Sequence, residues 1–314
     1  MNEFDIGSRR VGTGRPAFVI AEMAWSHDGD LEKARRIVRG AAEAGCDAVQ
    51  FHLTSLPDYM VRRYGAGAGR VSAGHEDEAS VYRYLERINL SLDDFGTLFA
   101  EAARRGLAAG ALANDGASLE FAISRAPAYL AISPSCMADR AFLRAAGSAG
   151  LPVSLRTGGA PVGEIEEAVE TLRAAGCDRI LLLHGFQSYP TDPEEVHLRF
   201  LATLARLFDL PVGYADHVDA EGPLAFVAPL LGLAAGANAI EKHLTYDRRL
   251  RGEDWESALD PVEMKRFVAL LRQAETGSFA DAARAREGIE RLFADLETRG
   301  VGGVRPGGTE RVRG

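Results

Sequence analysis

Eight times along this 314-residue chain, a short apolar, β-rich run is followed by a longer stretch with helical periodicity. That alternation restricts the fold more than any other feature. The predicted strands are residues 18–22, 48–52, 106–111, 129–133, 153–156, 179–184, 212–215 and 239–243. Amphipathic stretches at 31–44, 92–105, 141–149, 164–175, 195–208 and 224–235 lie between them. Several stop at glycine (Gly45, Gly106, Gly150, Gly176, Gly236), the residue that ends helices in a left-handed turn. Pro261 then opens a further helix, 262–275, from a favourable first-turn position. Units in this order build a parallel sheet covered by helices. Closing eight strands into an α/β (β/α)₈ TIM barrel leaves no strand edge, and a doubly wound open sheet is the alternative. The expected layout is one barrel domain over 1–280, followed by a helix and a Gly/Arg-rich tail over 281–314. The long segment 53–79, after the second strand, is expected to be a loop over the site.

Barrels of this kind hold about 250 residues as one unit, so the length fits. With 46% hydrophobic and 26% charged residues, a buried core is feasible. A formal net charge of −9 argues against nucleic acid or an anionic membrane surface as the main partner and suits a small-molecule substrate. The expected location is the cytoplasm: the chain shows neither a secretory start nor an apolar run of about 18 residues. Cys46, Cys136 and Cys177 are far apart and odd in number, which suits buried packing residues in a reducing compartment.

Barrel enzymes take their catalytic groups from the carboxyl ends of the strands. Here those ends carry Glu22, Gln50 with His52, Arg156, His184, Asp216-His217 and Glu241-Lys242-His243. His217 and His243 end adjacent strands, so their imidazoles can converge on a divalent metal such as Mn²⁺, Zn²⁺, Fe²⁺ or Co²⁺. The plainer alternative is a pair of hydrogen-bonded rim histidines. His52 either completes the metal shell or binds substrate. Glu22 suits a metal ligand, a general base or an acceptor for sugar hydroxyls, against a structural ion pair with Lys242 or an arginine. His184 is read as either a proton carrier or a satisfied core histidine. Tyr189 precedes a proline in a shaped turn, and Asp254 sits on the loop after the last strand.

Several runs together resemble the sialic acid synthase family. They are Phe18-Val19-Ile20-Ala21-Glu22 with His27-Asp28-Gly29, Ala44-Gly45-Cys46-Asp47-Ala48-Val49, Leu183-His184 with Ser188-Tyr189-Pro190, Pro211-Val212-Gly213-Tyr214 with Asp216-His217, and Ile240-Glu241-Lys242-His243. The resemblance implies a barrel that joins phosphoenolpyruvate to the open-chain aldehyde of an N-acetylated amino sugar with a divalent metal, usually Mn²⁺. It also implies His217 and His243 as metal ligands, Glu22 as acid/base, Tyr189 and Asp254 as sugar contacts, and a homodimer. The sequence departs from the family where it matters for the donor. Gln50 and Ala131 stand where the family has lysines, Leu112 and Ala215 where it has hydroxyls, and Arg156 where it has a serine. Arg156 restores one cation able to clamp an anion. The family's antifreeze-like C-terminal domain has no counterpart pattern, so the sugar-binding arginine it lends is expected from Arg248, Arg249 or Arg251, or is not supplied at all. Three activities follow: a divergent synthase, a metal-dependent aldolase/lyase or sugar isomerase/epimerase, and a silent sugar-binding relative.

Overall fold

The structure, a computed structural model, describes residues 3–60 and 81–276. It opens with an antiparallel hairpin, β1 (Glu3–Ile6) and β2 (Arg9–Gly12). Eight parallel strands follow: β3 (Phe18–Glu22), β4 (Ala48–Leu53), β5 (Ala108–Ala113), β6 (Tyr129–Ile132), β7 (Val153–Arg156), β8 (Ile180–His184), β9 (Val212–Asp216) and β10 (Ala239–His243). They close in sequence order, with β10 paired back onto β3. The barrel expectation therefore holds, and the open-sheet alternative falls.

The helices are α1 (Leu31–Ala44), α2 (Leu56–Tyr59), α3 (Val81–Ile88), α4 (Leu92–Arg104), α5 (Gly116–Ser124), α6 (Arg140–Ser148), α7 (Val162–Ala174), α8 (Arg199–Phe208), α9 (Leu224–Ala234) and α10 (Pro261–Thr276). Local chemistry sets their ends. Asp30 caps α1 by accepting from the Glu32 and Lys33 amides, and Gly45, at φ 82°, stops it. Ser91 and Asp94 form a reciprocal capping box on α4. The same end chemistry corrects one strand. Gly106 takes φ 73° and Leu107 N–H donates to Ala102 at 3.1 Å, so β5 begins at Ala108, two residues later than the hydrophobic run suggests. Of the expected loop 53–79, residues 56–59 form α2, and 61–79 lie outside the described residues.

Period-two alternation points every second side chain inward. At the amino-terminal end of the barrel Phe18, Ile20, Ala48, Leu112, Tyr129, Ala131, Leu181 and Ala239 form an apolar plug, with Phe4, Ile6 and Val11 of the hairpin packed beneath it. The hairpin closes the bottom. Gly110 is inward too, and a Cβ there would come 2.2 Å from the Tyr129 ring, so the glycine makes room for that ring. Above this layer the inward positions turn polar.

The chain divides into two compact units, Met1–Leu270 and Leu271–Gly314. In the second, the described residues 271–276 finish α10, where Arg272 pairs with Glu275 at 3.0 Å. The expected tail, 281–314, lies outside the described residues.

Candidate metal centre

Register brings the polar rim together. His243 lies beside Glu22, Glu22 beside Gln50, and Glu241 beside Ala215, so the closing seam β9–β10–β3–β4 carries Glu241, His243, Glu22 and Gln50 on its inner face. His217 follows β9 directly, at the same parity as Ala215. One donor atom from each of His217, Glu241 and His243 lies within 4.8 Å of the others, and all three residues are buried. The two imidazole rings meet edge to face at 5.2 Å.

Proton placement suits a metal. His217 Nδ1 lies 2.7 Å from the Phe186 carbonyl oxygen, which can only accept, so Nδ1 carries the proton and Nε2 keeps its lone pair. That Nε2 is buried without a hydrogen-bond partner, as are both ring nitrogens of His243. Burial first, and Arg156 second, push His217 down to about 3. Burial and the neighbouring His217 hold His243 well below its ordinary range. Both rings are therefore neutral near pH 7. Two neutral imidazoles and a carboxylate fit a first-row divalent cation, whereas the same orphaned nitrogens would be costly in a purely structural cluster.

Beneath them runs a charged network. Arg156, inward on β7, donates to Glu241 and stands 3.6 Å from Glu22. Gln50 donates from Nε2 to Glu22 and, at 3.0 Å, to Glu241, while its Oε1 has no partner. Glu22 also accepts the Ala24 amide at 2.8 Å. Burial raises the Glu22 carboxyl above the usual range, against the opposing pull of Arg156. The structural alternative for Glu22 thus resolves in part: its cation is Arg156, while Lys242 turns to Asp216.

Of the remaining candidates, most frame the mouth. Tyr189 packs its ring 4.6 Å from His217 and 5.4 Å from His243, and remains 37% exposed as a residue. Asp254, at φ 61°, brings Oδ2 to 3.9 Å from His243 Nδ1. Burial and the carboxylates Glu253 and Glu22 raise its carboxyl well above the ordinary value. His52 is inward on β4 but outside the three-donor cluster. Its ring lies 4.2 Å from Trp25, and burial depresses it to about 3.

His184 is placed elsewhere. Leu181 belongs to the barrel interior, so His184, of opposite parity, faces outward against Phe200 of α8 at 5.3 Å. It lines a cavity of about 760 Å³ with Phe200, Leu224 and Leu231, and does not join the metal cluster. Being last in its strand puts a residue at the rim, but parity decides which side of the wall it serves. Glu241 joins the cluster without a motif of its own, although its i, i+2 spacing from His243 in a strand places both on one face. Trp25 and the Phe186 carbonyl left no signal of that kind.

Comparison with known proteins agrees with this architecture. A sequence profile of the NeuB family matches residues 37–279. The N,N'-diacetyllegionaminic acid synthase of Legionella pneumophila is 33% identical over 274 residues, covering 86% of this chain and 75% of that protein. A pseudaminic acid synthase of Campylobacter jejuni is 27% identical, over 84% of this chain and 75% of its own. The crystal structure of an N-acetylneuraminic acid synthetase from Leptospira borgpetersenii, in complex with citrate, superposes with a TM-score of 0.75. It is 28% identical, with 92% of this chain and 95% of that one covered. The chain belongs to the NeuB family.

Proposed function

We propose that this protein is a metal-dependent enzyme that joins a three-carbon donor to the aldehyde carbon of an N-acetylated sugar, yielding a sugar acid. The observation that carries the reading is the convergence of His217, Glu241 and His243 at the mouth of the barrel, with ring nitrogens left unpartnered. It stands in a chain whose relatives include legionaminic and pseudaminic acid synthases. Mn²⁺ is the proposed metal, the cytoplasm the proposed location and a homodimer the proposed assembly; among the described residues no helix is long and apolar enough to cross a membrane. A divalent cation bound there would polarise a carbonyl oxygen. Glu22, whose carboxyl is raised by burial, would hold a proton at its Oε atoms for the new hydroxyl. Gln50 Oε1 and Asp254 would accept from sugar hydroxyl or amide groups, and the Tyr189 ring would wall the site from water. His52 stays neutral and would orient substrate or move a proton through an imidazole nitrogen.

A second reading is favoured by the donor side. A phosphorylated donor needs cations or many hydrogen-bond donors. The inward positions Leu112 and Ala131 offer no cation or hydrogen-bond donor, and Arg156 already donates to Glu241 and lies 3.6 Å from Glu22. An aldolase/lyase that takes an unphosphorylated donor, or a sugar isomerase/epimerase, fits that wall better.

The deciding experiment incubates Mn²⁺-loaded protein with N-acetylmannosamine and either phosphoenolpyruvate or pyruvate, following phosphate release and aldehyde consumption. Phosphate released together with a new keto acid supports the synthase. No release across several N-acetyl sugars, with metal still bound, would sink it; aldehyde consumption with pyruvate would then favour the aldolase.

A further inference from the structure

On the outer face of the barrel, behind the two histidines, Lys242 Nζ donates to Asp216 Oδ2 at 2.6 Å. Both side chains are 0% exposed. Burying two charges is expensive, and such a pair is weak evidence for stability on its own. Its position offers another reason. Asp216 directly precedes His217, and Lys242 directly precedes His243. The two residues also face each other in the final rung of the β9–β10 ladder, so that ladder ends before it reaches the histidines, and His243 is paired only on its other side, with Glu22 of β3.

The second oxygen of Asp216 completes the arrangement. Oδ1 accepts from the Tyr214 hydroxyl at 2.9 Å and from the Val218 amide at 3.1 Å. His217 is therefore bracketed: its predecessor is tied sideways to β10 and forward to its successor. Its own carbonyl accepts from Ser257 Oγ at 2.7 Å and from the Thr191 amide at 2.8 Å. Room for the Tyr214 ring comes from Gly232 on α9, where a Cβ would approach Tyr214 Cδ1 to 3.0 Å.

We infer that the Asp216–Lys242 pair, braced by Tyr214, is a positioning clamp that fixes the spacing of His217 and His243 for metal binding from outside the barrel wall. The inference rests on the metal reading above. Neither residue touches the metal; each acts through the backbone of its neighbour. The test measures Co²⁺ affinity and the visible ligand-field spectrum of Co²⁺ in the native protein, Lys242→Met, Asp216→Asn and the double variant Asp216→Leu/Lys242→Met. Single variants leave one buried charge or amide unmatched and can fail to fold, whereas the double removes both charges together. Partners hydrogen-bonded directly to metal ligands typically carry about 10–100-fold in affinity, and a clamp acting one residue away is expected at the lower end, about 10-fold. The clamp predicts a loss of that size, with an altered spectrum, in the double variant while its circular dichroism stays native; its thermal midpoint falls, because the Tyr214 hydroxyl and the Val218 amide lose their acceptor. A folded double variant with native affinity and spectrum would overturn the clamp and leave the metal site standing. Failure of the native protein to bind Co²⁺ or Mn²⁺ would overturn the metal reading and the clamp with it.

Discussion

Arg156 lies between Glu22 and Glu241 with its side chain only 5% exposed, so three ionisable groups share a space that water scarcely reaches. Removing the cation leaves two carboxylates facing each other without compensation. Arg156→Met is therefore expected to lower unfolding free energy by about 3–5 kcal/mol, the usual range for breaking a buried pair. Saturating Mn²⁺ should return part of that loss, because a divalent cation at the neighbouring cluster compensates the same carboxylates. Urea denaturation with and without Mn²⁺ checks both; an equal loss in the two conditions would contradict the shared site. His27 supplies a pH dependence at a residue outside the three-donor cluster. Burial depresses its imidazole from 6.5 to about 4, and its Nδ1 already accepts from the Gly29 amide at 3.1 Å. The unfolded chain therefore takes up the proton first as pH falls. Stability is intact above about pH 6.5 and declines towards pH 4, by about 3 kcal/mol in total. His27→Asn keeps an acceptor and removes the titration. The native protein should lose that much more stability than the variant between pH 7 and pH 4, and parallel pH curves would contradict the assignment.

Among the elements, the hairpin β1–β2 carries little signal in the sequence. Phe4, Ile6 and Val11 are buried under the barrel, and together with Phe18, Tyr129 and Leu181 they seal its base. Phe4→Ala should cost about 3–5 kcal/mol in denaturant unfolding, as expected when a packed aromatic leaves a cavity. A change within about 0.5 kcal/mol would mean that the plug is dispensable. The alternation Phe4-Asp5-Ile6 was visible, but four-residue strands are too short for periodicity to separate from loop. Helix α5 is hard to read from sequence for a related reason. Its sequence Gly-Ala-Ser-Leu-Glu-Phe-Ala-Ile-Ser has little polar contrast, although Asp115 caps it through the Ser118 amide. By contrast β10 was legible to the residue, because Ala237 and Asn238 end a turn and Ala239–His243 is one unbroken buried run. His184 marks the limit of strand-end reasoning: the rim was right and the face was wrong.

For the whole molecule, strand order, closure and the rim at the carboxyl ends were all readable from eight alternations, since parallel strands and helices leave few ways to close. Convergence was not readable. The contact of Arg156 with Glu241 joins residues 85 apart in sequence, and only the ring of strands brings them together. The same holds for the orientation of His217 by Phe186, 31 residues away. Those long-range contacts converge on the divalent-metal site proposed above, with His217, Glu241 and His243 at the mouth of the barrel. The most direct measurement is metal content after Mn²⁺ loading and desalting, by elemental analysis, of the native protein, His217→Ala and His243→Ala. One equivalent per native chain and none in either variant is expected, with fold retained by circular dichroism. Stoichiometric metal kept by both variants would contradict it, and would return the two histidines to structural residues of the rim.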